Sequence, residues 1–151
     1  IAAPAPASAQ VGMSLDEFEK VSGKSVETYK SPNGSSGLIY RDVWVSEKSQ
    51  KQFAGRTAIE VGTDNRVEKE VFFFDAPLPN TPDGAVDAVG IAFNLMPTGT
   101  PKTFLDSGRR QYEHGWVLWF DYGNGRYINF FLDADERKIE AVVGGIESQT
   151  I

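Results

Sequence analysis

The chain has one histidine, His114, which lies in the run Tyr112-Glu113-His114-Gly115-Trp116. An imidazole that pairs with Glu113 or Asp121 could act as a general base. The sequence has no cysteine and no Gly-x-Ser-x-Gly nucleophile elbow to accompany it. A histidine that simply lies at a turn between two strands accounts for the same residues without a catalytic role. The sequence therefore predicts no enzymatic activity, and the alternative is a small-ligand-binding or weakly hydrolytic pocket near His114 and Trp116.

Acidic side chains crowd two later turns. Asp133, Asp135 and Glu136 lie in one of them, and Asp121 lies near Asn124 in the other. Carboxylate and amide oxygens are ligands that Ca²⁺ accepts. Neither group follows the spacing of an EF-hand loop, so we expect solvated turn residues. The sequence predicts no metal and no cofactor, since no glycine-rich phosphate loop follows a predicted strand either.

Charge and composition narrow the choice of partner. The 151 residues carry a formal net charge of −6, and 40% of them are hydrophobic. Binding to nucleic acid or to an anionic membrane needs a basic surface, which this composition does not favour. Without cysteine, neither a disulfide framework nor a thiolate metal site can form. No apolar run is long enough to span a membrane. We expect a globular protein whose partner is another protein or a small molecule, with its oligomeric state left open.

The start of the chain, IAAPAPASAQ, is rich in alanine and proline. Within it, Ala7-Ser8-Ala9 fits the small-residue pattern of a signal-peptidase site. Residues 1–10 are therefore expected to be a flexible tether or the remnant of a signal peptide, with a plain linker as the alternative. This pattern predicts an exported protein that is periplasmic, lipid-anchored or extracellular.

A first helix is predicted at residues 15–22. The Ser14 side chain can cap its first turn, and the Glu17 side chain can reach back to the backbone of the cap. Gly23 supplies the left-handed conformation that commonly ends a helix. A complete start and stop within so few residues predicts a short, well-capped amphipathic helix.

A second helix is predicted after a proline-rich stretch. Thr81 can cap it, Pro82 suits its first position, and Pro97 ends it. The apolar residues that recur at helical spacing are Val86, Val89 and Phe93.

Alternating apolar residues and turn signals predict strands on both sides of the second helix. We expect strands at 38–45, 56–61 and 66–74 before it, and at 103–105, 110–112, 116–122, 127–132 and 138–143 after it. The reversals at Asp64-Asn65 and Asp135-Glu136 suit tight hairpins. Together with the strand starts at Gly55-Arg56 and Gly125-Arg126, they repeat at a separation of about 70 residues.

These elements predict an α+β fold with two similar halves, residues 11–76 and 77–151. Each half is a helix laid on an antiparallel sheet, and the two sheets could join into one continuous curved sheet with the helices on one face. We interpret the halves as a diverged tandem duplication whose seam lies at Pro77, Pro79 and Pro82.

Strict alternation assigns the side chains of each strand to two faces. The side predicted to meet the helices carries Val67, Val71, Phe73, Ile128, Phe130, Leu132, Ile139, Ala141 and Val143. The opposite side mixes aromatic rings with carboxylates, as protein-binding surfaces do. It provides the candidate partner-binding residues Tyr40, Trp44, Glu68, Glu70, Phe72, Trp119, Tyr127 and Phe131. The alternatives are that loops or a partner helix cover this side, or that its rings form a second core layer.

The run Val11-Gly12-Met13-Ser14-Leu15-Asp16-Glu17-Phe18, followed by Gly23, resembles the helix start of two families. These are the small outer-membrane lipoproteins of the SmpA/OmlA type and the beta-lactamase inhibitor proteins. The resemblance implies a helical segment before a three- or four-stranded antiparallel sheet and, as in the inhibitors, a tandem of two such units whose concave sheet grips an enzyme. The second half lacks the Gly-Met-Ser signature, and the disulfides of the inhibitors are missing. The implied function is a non-enzymatic protein-binding module, either an inhibitor of a secreted or periplasmic hydrolase or an envelope scaffold lipoprotein.

A shorter run, Ser36-Gly37-Leu38-Ile39-Tyr40, is similar to the Ser-Gly-x-x-Tyr signature of periplasmic lysozyme inhibitors. In that family the signature forms a loop that enters the lysozyme cleft and lies in the later half of the chain. Here it lies near the start, and a glycine- and serine-rich loop that runs into a strand is the alternative.

Overall fold

The structure is a computed structural model that describes residues 10–22, 27–30, 36–46 and 49–147. Within these ranges the chain forms two helices and eight strands. They are α1 (Leu15–Ser22), β1 (Glu27–Lys30), β2 (Ser36–Val45), β3 (Gln52–Val61), β4 (Val67–Pro79), α2 (Pro82–Leu95), β5 (Asp106–Tyr112), β6 (Gly115–Gly123), β7 (Arg126–Asp133) and β8 (Lys138–Ile146).

All eight strands belong to one antiparallel sheet, whose order is β1-β2-β3-β4-β8-β7-β6-β5. Consecutive strands are neighbours on each side of the central pair, because short reversals connect them. The central pair is β4 and β8, which lie far apart in the chain. The predicted α+β class with an antiparallel sheet is confirmed.

Helix α1 has the predicted bounds and begins with the predicted cap. The Ser14 hydroxyl accepts a hydrogen bond of 3.3 Å from the backbone N–H of Glu17. The segment before the helix pairs with the start of β4, because the Gly12 N–H donates to the Val67 carbonyl and the Val67 N–H donates to the Met13 carbonyl. This pairing fixes α1 against the sheet. The predicted stop at Gly23 lies outside the described residues.

Helix α2 also begins as predicted, with the Thr81 hydroxyl accepting from the Gly84 N–H and Pro82 in the first turn. The predicted apolar stripe is right only for Phe93, which packs against the core, because Val86 and Val89 are 45% and 43% exposed. The stripe that meets the sheet consists of Ala88, Ile91, Ala92 and Leu95. Both stripes have helical spacing, and Ala88 and Ile91 meet a large apolar sheet surface that the sequence alone does not reveal.

Several strands are longer than predicted. Pro77 and Pro79, expected to break the chain, lie in the last part of β4, where the pairing with β8 shifts register between Phe73 and Leu78. A shift of this kind accommodates proline, which cannot donate to the ladder. Residues 103–105 form no strand, and β1 was not predicted at all.

The core consists of two apolar clusters on the helix side of the sheet. The α2 cluster includes Trp44, Phe72, Phe74, Ile91, Leu95, Ile128, Phe130 and Val142. The α1 cluster contains Val11, Phe18, Tyr40, Ile59, Val61 and Val67. Each helix therefore covers its own part of one continuous sheet.

The predicted faces are wrong for β2, β4 and part of β8. Phe72 pairs with Thr57 and Val142, and Val142 pairs with Phe130, so all these side chains share the helix side. Val71 and Phe73 lie on the opposite, helix-free face, although the sequence predicted that they meet a helix. Alternation gives two faces for each strand, and only the cross-strand register decides which one is covered.

In β8 a register shift separates Ile139 from Ala141. Leu132 pairs with Ile139 and Phe131 with Ala141, so the neighbouring odd-numbered residues of β8 lie on different faces. Ile139 meets the α2 cluster as predicted. Ala141 and Val143 lie on the helix-free face instead, where neighbouring side chains bury them. A bulge inserts one residue and inverts the alternation beyond it, which strict alternation cannot anticipate.

Candidate functional site

Three of the predicted aromatic site residues lie on the helix-free face. Trp119 is in β6, and Tyr127 and Phe131 are in β7. Their partners in the ladder are Asn129 for Trp119, Asp121 for Tyr127 and Val117 for Phe131. All three rings are partly exposed, and neither described helix packs on them.

Two glycines decide how the Trp119 and Tyr127 rings are oriented. A Cβ atom added to Gly108 of β5 would lie 2.5 Å from the Trp119 ring, and one added to Gly145 of β8 would collide with the Tyr127 ring. Each ring therefore lies over a glycine of the neighbouring strand. Trp119 leans towards β5 and Tyr127 leans towards β8, so the two rings diverge.

A cavity of about 640 Å³ lies between the diverging rings. Its lining combines Trp119 and Tyr127 with polar groups on three strands, namely Arg110, Asp121, Arg126 and Asn129. Volumes of this order are typical of sites that hold a small molecule or a protruding side chain. We call this cavity the aromatic cleft.

The loop that closes one end of the aromatic cleft is fixed by hydrogen bonds. The Asp121 carboxylate accepts from the Gly123 N–H at 2.8 Å, and the Arg126 Nε donates to the Gly123 carbonyl at 3.1 Å. The Glu147 N–H donates to the Gly125 carbonyl at 2.8 Å, which ties the loop to the end of β8. These hydrogen bonds order the loop at this end of the cleft, so the loop needs little further ordering when a partner binds.

A second cavity of about 310 Å³ adjoins the aromatic cleft and shares Tyr127 and Glu147 with it. Glu60, Glu68, Lys69 and Ile146 complete its lining. The ammonium group of Lys69 lies 3.9 Å from the Glu60 carboxylate. We call it the acidic cavity, since three carboxylates face one cation.

The carboxylates of the acidic cavity act on the Tyr127 hydroxyl. Burial raises the pKa of Tyr127 to about 12, and the negative charges of Glu147, Glu60 and Glu68 contribute to the increase. The phenol therefore stays neutral at physiological pH and keeps its O–H as a hydrogen-bond donor.

Phe131 belongs to an aromatic row beside the cleft. Its ring packs edge to face on Tyr112 at a centroid distance of 5.5 Å. Phe73, which the sequence predicted to be buried under a helix, is 44% exposed on the same face. The apolar surface therefore extends from the cleft towards β4.

Four of the predicted partner-binding residues are in the interior instead. Tyr40, Trp44 and Phe72 are 1%, 6% and 0% exposed in the two apolar clusters, and Glu70 is fully buried beside them. The prediction that they lie on an open face is wrong, since β2 and β4 turn these side chains towards the helices. Glu68, the remaining predicted residue, lines the acidic cavity.

The structure places His114, the centre of the catalytic alternative, on the surface. His114 lies in the turn between β5 and β6, and its Nε2 is 3.9 Å from the Glu113 carboxylate, with both side chains exposed. Asp121 lies at the other end of β6, opposite Asp106. Trp116 points to the helix side, where the Arg109 guanidinium stacks on its ring at 4.2 Å. Neither cavity is lined by His114 or Trp116.

The acidic side chains Asp133 and Glu136 form hydrogen bonds and an ion pair within the protein. The Asp133 carboxylate accepts from the N–H groups of Arg137 and Lys138, at 2.7 and 3.0 Å. Glu136 pairs with Arg109 at 2.5 Å. Among the residues that the structure describes, no group of three or more His, Asp or Glu side chains could hold a metal ion.

Sequence reasoning missed the two glycines that shape the cleft. Gly108 and Gly145 each interrupt an alternating strand, which is a known sign that another group approaches the backbone closely. Their positions opposite aromatic residues become visible only with the cross-strand register.

The run Ser36-Gly37-Leu38-Ile39-Tyr40 lies in β2 and not in a loop. Tyr40 at its end packs on Phe18 of α1, at a ring distance of 5.7 Å. These residues therefore cannot enter the cleft of another protein in the way that the lysozyme-inhibitor signature implies.

In the described residues, neither helix is long and apolar enough to cross a membrane. Comparison of the chain with protein-family models, with curated proteins and with solved structures gave no match. The resemblance to the SmpA/OmlA lipoproteins and the beta-lactamase inhibitor proteins therefore stays a prediction.

Proposed function

We propose that this protein is a non-enzymatic binding module that recognises another protein through the helix-free face of its sheet. The observation that carries the proposal is the aromatic cleft, in which Trp119 and Tyr127 stand apart over Gly108 and Gly145. Tryptophan and tyrosine supply most of the binding energy in many interfaces, because they bury a large area at a low cost in entropy.

The partner we propose presents a protruding loop with a basic side chain. The aromatic cleft can take the apolar part of such a loop, and the acidic cavity beside it complements a positive charge. Tyr127 lines both cavities, so its ring lies beside a lysine or arginine that enters the acidic cavity. A module that binds by covering part of its partner's surface suits an inhibitor of an exported hydrolase or an envelope scaffold.

We also propose that the chain is a diverged tandem repeat, with halves that meet between the end of β4 at Pro79 and the start of α2 at Pro82, a few residues after the predicted boundary at 76/77. The order of elements supports this, since each helix is followed by four consecutive antiparallel strands. The sheet order supports it as well, because the last strands of the two halves, β4 and β8, pair at the centre.

The proposal is tested with a phage-displayed library of random peptides selected on the immobilised full chain. Peptides that survive selection are synthesised, and their affinities are measured by calorimetry for wild type, Trp119→Ala and Tyr127→Ala. Trp116→Ala is the matched control, since it removes the same residue type from the other face of the same strand. Circular dichroism establishes that each variant is folded.

We expect the selected peptides to contain lysine or arginine beside an apolar residue. Their affinity should fall about 30-fold with Trp119→Ala or Tyr127→Ala, which corresponds to about 2 kcal/mol, and should change little with Trp116→Ala. Peptides that bind all four proteins equally would contradict the proposed face. A neutral small molecule that fills the cleft and competes with no peptide would favour the ligand-binding alternative instead.

A further inference from the structure

Strand β5 is an edge of the sheet, since among the described strands only β6 pairs with it. An edge strand presents backbone N–H and C=O groups with which a further strand can pair. Proline and β-bulges are common ways to block such an edge. The β5 sequence DSGRRQY contains no proline, and its ladder with β6 continues without a register shift. The edge is therefore open to the addition of a strand.

Two charged residues of β5, Asp106 and Arg110, lie on the helix-free face. Asp106 is opposite Asp121 in the ladder with β6, and Asp121 and Arg110 both line the aromatic cleft. An even separation along a strand keeps side chains on one face, which agrees with this placement. Both side chains are exposed, and neither takes part in the ion pairs formed among the described residues. The edge thus presents one negative and one positive charge without an ionic partner.

The surroundings of Asp106 favour the approach of a cation from the open side of β5. Asp106 lies directly across the ladder from Asp121, and like charges at opposite positions are destabilising. The Asp106 carboxylate accepts one hydrogen bond, of 2.9 Å, from the Ser107 N–H. A carboxylate offers about four acceptor positions, so it can accept further hydrogen bonds from a cationic side chain.

A second copy of the same chain supplies that cation when the β5 strands of two copies pair antiparallel. A two-fold axis normal to the sheet keeps the helix-free faces of both copies on the same side. With Gly108 on the axis, Asp106 of each copy lies opposite Arg110 of the other copy. Two ion pairs then form across the interface, because opposite charges at opposite positions attract.

Other registers within β5 do not match these charges. An axis at Asp106, Arg109 or Arg110 places that residue opposite the same charged residue of the second copy, which is unfavourable. An axis at Ser107 leaves Asp106 opposite Gly108. In the Gly108 register Ser107 lies opposite Arg109, whose guanidinium is already paired within its own chain.

We propose that the protein forms a two-fold dimer in which the β5 strands of two copies pair with Gly108 on the axis. This inference goes beyond the proposed function and does not depend on it. Arg110 of each copy lines the aromatic cleft and binds Asp106 of the other copy. Trp119 lies over Gly108, so the Trp119 rings of both copies lie beside the axis. The two helix-free faces therefore form one continuous surface that carries two clefts.

Leu105 supports the same arrangement. At 74% it is the most exposed large hydrophobic residue of the described chain. Its N–H donates to the Asp121 carbonyl at 2.7 Å, so the pairing with β6 already includes the residue before β5. In the Gly108 register Leu105 lies opposite Gln111 of the second copy. Contact with that side chain removes apolar surface from water, which favours the dimer.

The test is sedimentation velocity of the full chain over a range of concentrations, because dimerisation depends on concentration. Asp106→Arg and Arg110→Asp each reverse one charge, so each variant alone places like charges opposite each other. In an equimolar mixture of the two variants, one ion pair is native and the other joins the two introduced charges. Asp135→Arg and Arg137→Asp are the matched controls, since they make the same changes at exposed positions in the turn between β7 and β8. Circular dichroism establishes that each variant is folded.

We expect wild type to reach twice the mass of one chain as its concentration rises. Asp106→Arg and Arg110→Asp should each raise the dissociation constant of the dimer at least tenfold, and their mixture should return it to nearly the wild-type value. Both control variants should dimerise as wild type does.

The proposal is overturned if wild type stays monomeric up to its solubility limit, or if the two charge reversals leave dimerisation unchanged. A mixture that recovers no dimer, or an equal loss in the controls, also overturns it. If one of the two variants does not fold, the other decides the question, because it should lose the dimer on its own.

Discussion

The Ser46 hydroxyl donates a hydrogen bond of 2.8 Å to the Asp87 carboxylate, and both side chains are buried. Ser46 follows β2, and its backbone N–H donates to the Lys51 carbonyl in the reversal towards β3. Asp87 lies on the sheet-facing side of α2. This hydrogen bond therefore joins the second helix to a reversal between strands of the first half of the chain.

Removing either partner should destabilise the fold. Asp87→Ala leaves the buried Ser46 hydroxyl without its acceptor, and Ser46→Ala leaves a buried carboxylate without its donor, so each should cost about 1–3 kcal/mol. Urea unfolding of both single variants and of the double variant gives the coupling between the two positions. Asp83→Ala, an exposed acidic residue in the first turn of α2, is the control. Additive effects in the double variant would show that the two side chains do not interact.

The cleft glycines offer a second prediction. Gly108→Ala places a methyl group within the space of the Trp119 ring, so the ring must move away from β5. We expect a loss of about 1–3 kcal/mol in unfolding free energy and a changed environment of the indole, measured by urea unfolding and fluorescence. Gly90→Ala is the opposite case, because its Cβ would meet only the Ser46 hydroxyl at 3.7 Å. Alanine in place of a mid-helix glycine should stabilise the protein by about 0.5–1 kcal/mol.

Local signals in the sequence predicted the starts of the helices but not the faces of the strands. Ser14 and Glu17 are close neighbours in the chain, so the cap of α1 could be derived without knowledge of anything distant. The side that Trp44 occupies depends on pairing across β2, β3 and β4, and the side of Ala141 depends on a register shift. The aromatic cleft required both kinds of information, because Gly108 and Gly145 matter only through their neighbours on adjacent strands.

The buried Glu70 makes the stability of the protein depend on pH. Because the folded-state pKa of Glu70 is raised above its unfolded value, the folded chain retains a proton that the unfolded chain releases. The contribution of protonated Glu70 to the free energy of unfolding is therefore fully present below the unfolded pKa, and it is lost as the pH rises through the folded pKa. Glu70→Gln carries no ionisable group and should lose this dependence. Urea unfolding of both proteins between about pH 5 and pH 8 measures the difference, and the contribution of Asp42 should have the same sign. Parallel pH profiles for wild type and Glu70→Gln would mean that this carboxyl titrates normally.

Alanine substitutions of the three tryptophans distinguish effects on folding from effects on binding. Trp44 is 6% exposed and packs edge to face on Phe72 at 6.1 Å, so Trp44→Ala should cost about 3–5 kcal/mol and can unfold the chain. Trp119→Ala removes a partly exposed ring from the helix-free face, and we expect the fold to persist while affinity for a selected peptide falls by about 2 kcal/mol or more. Trp116→Ala removes the ring on which Arg109 stacks, so it should affect stability modestly and binding hardly at all. Urea unfolding and calorimetry on the same three samples provide both quantities. If Trp119→Ala unfolds the chain as Trp44→Ala does, its ring belongs to a second core layer and the binding surface must lie elsewhere.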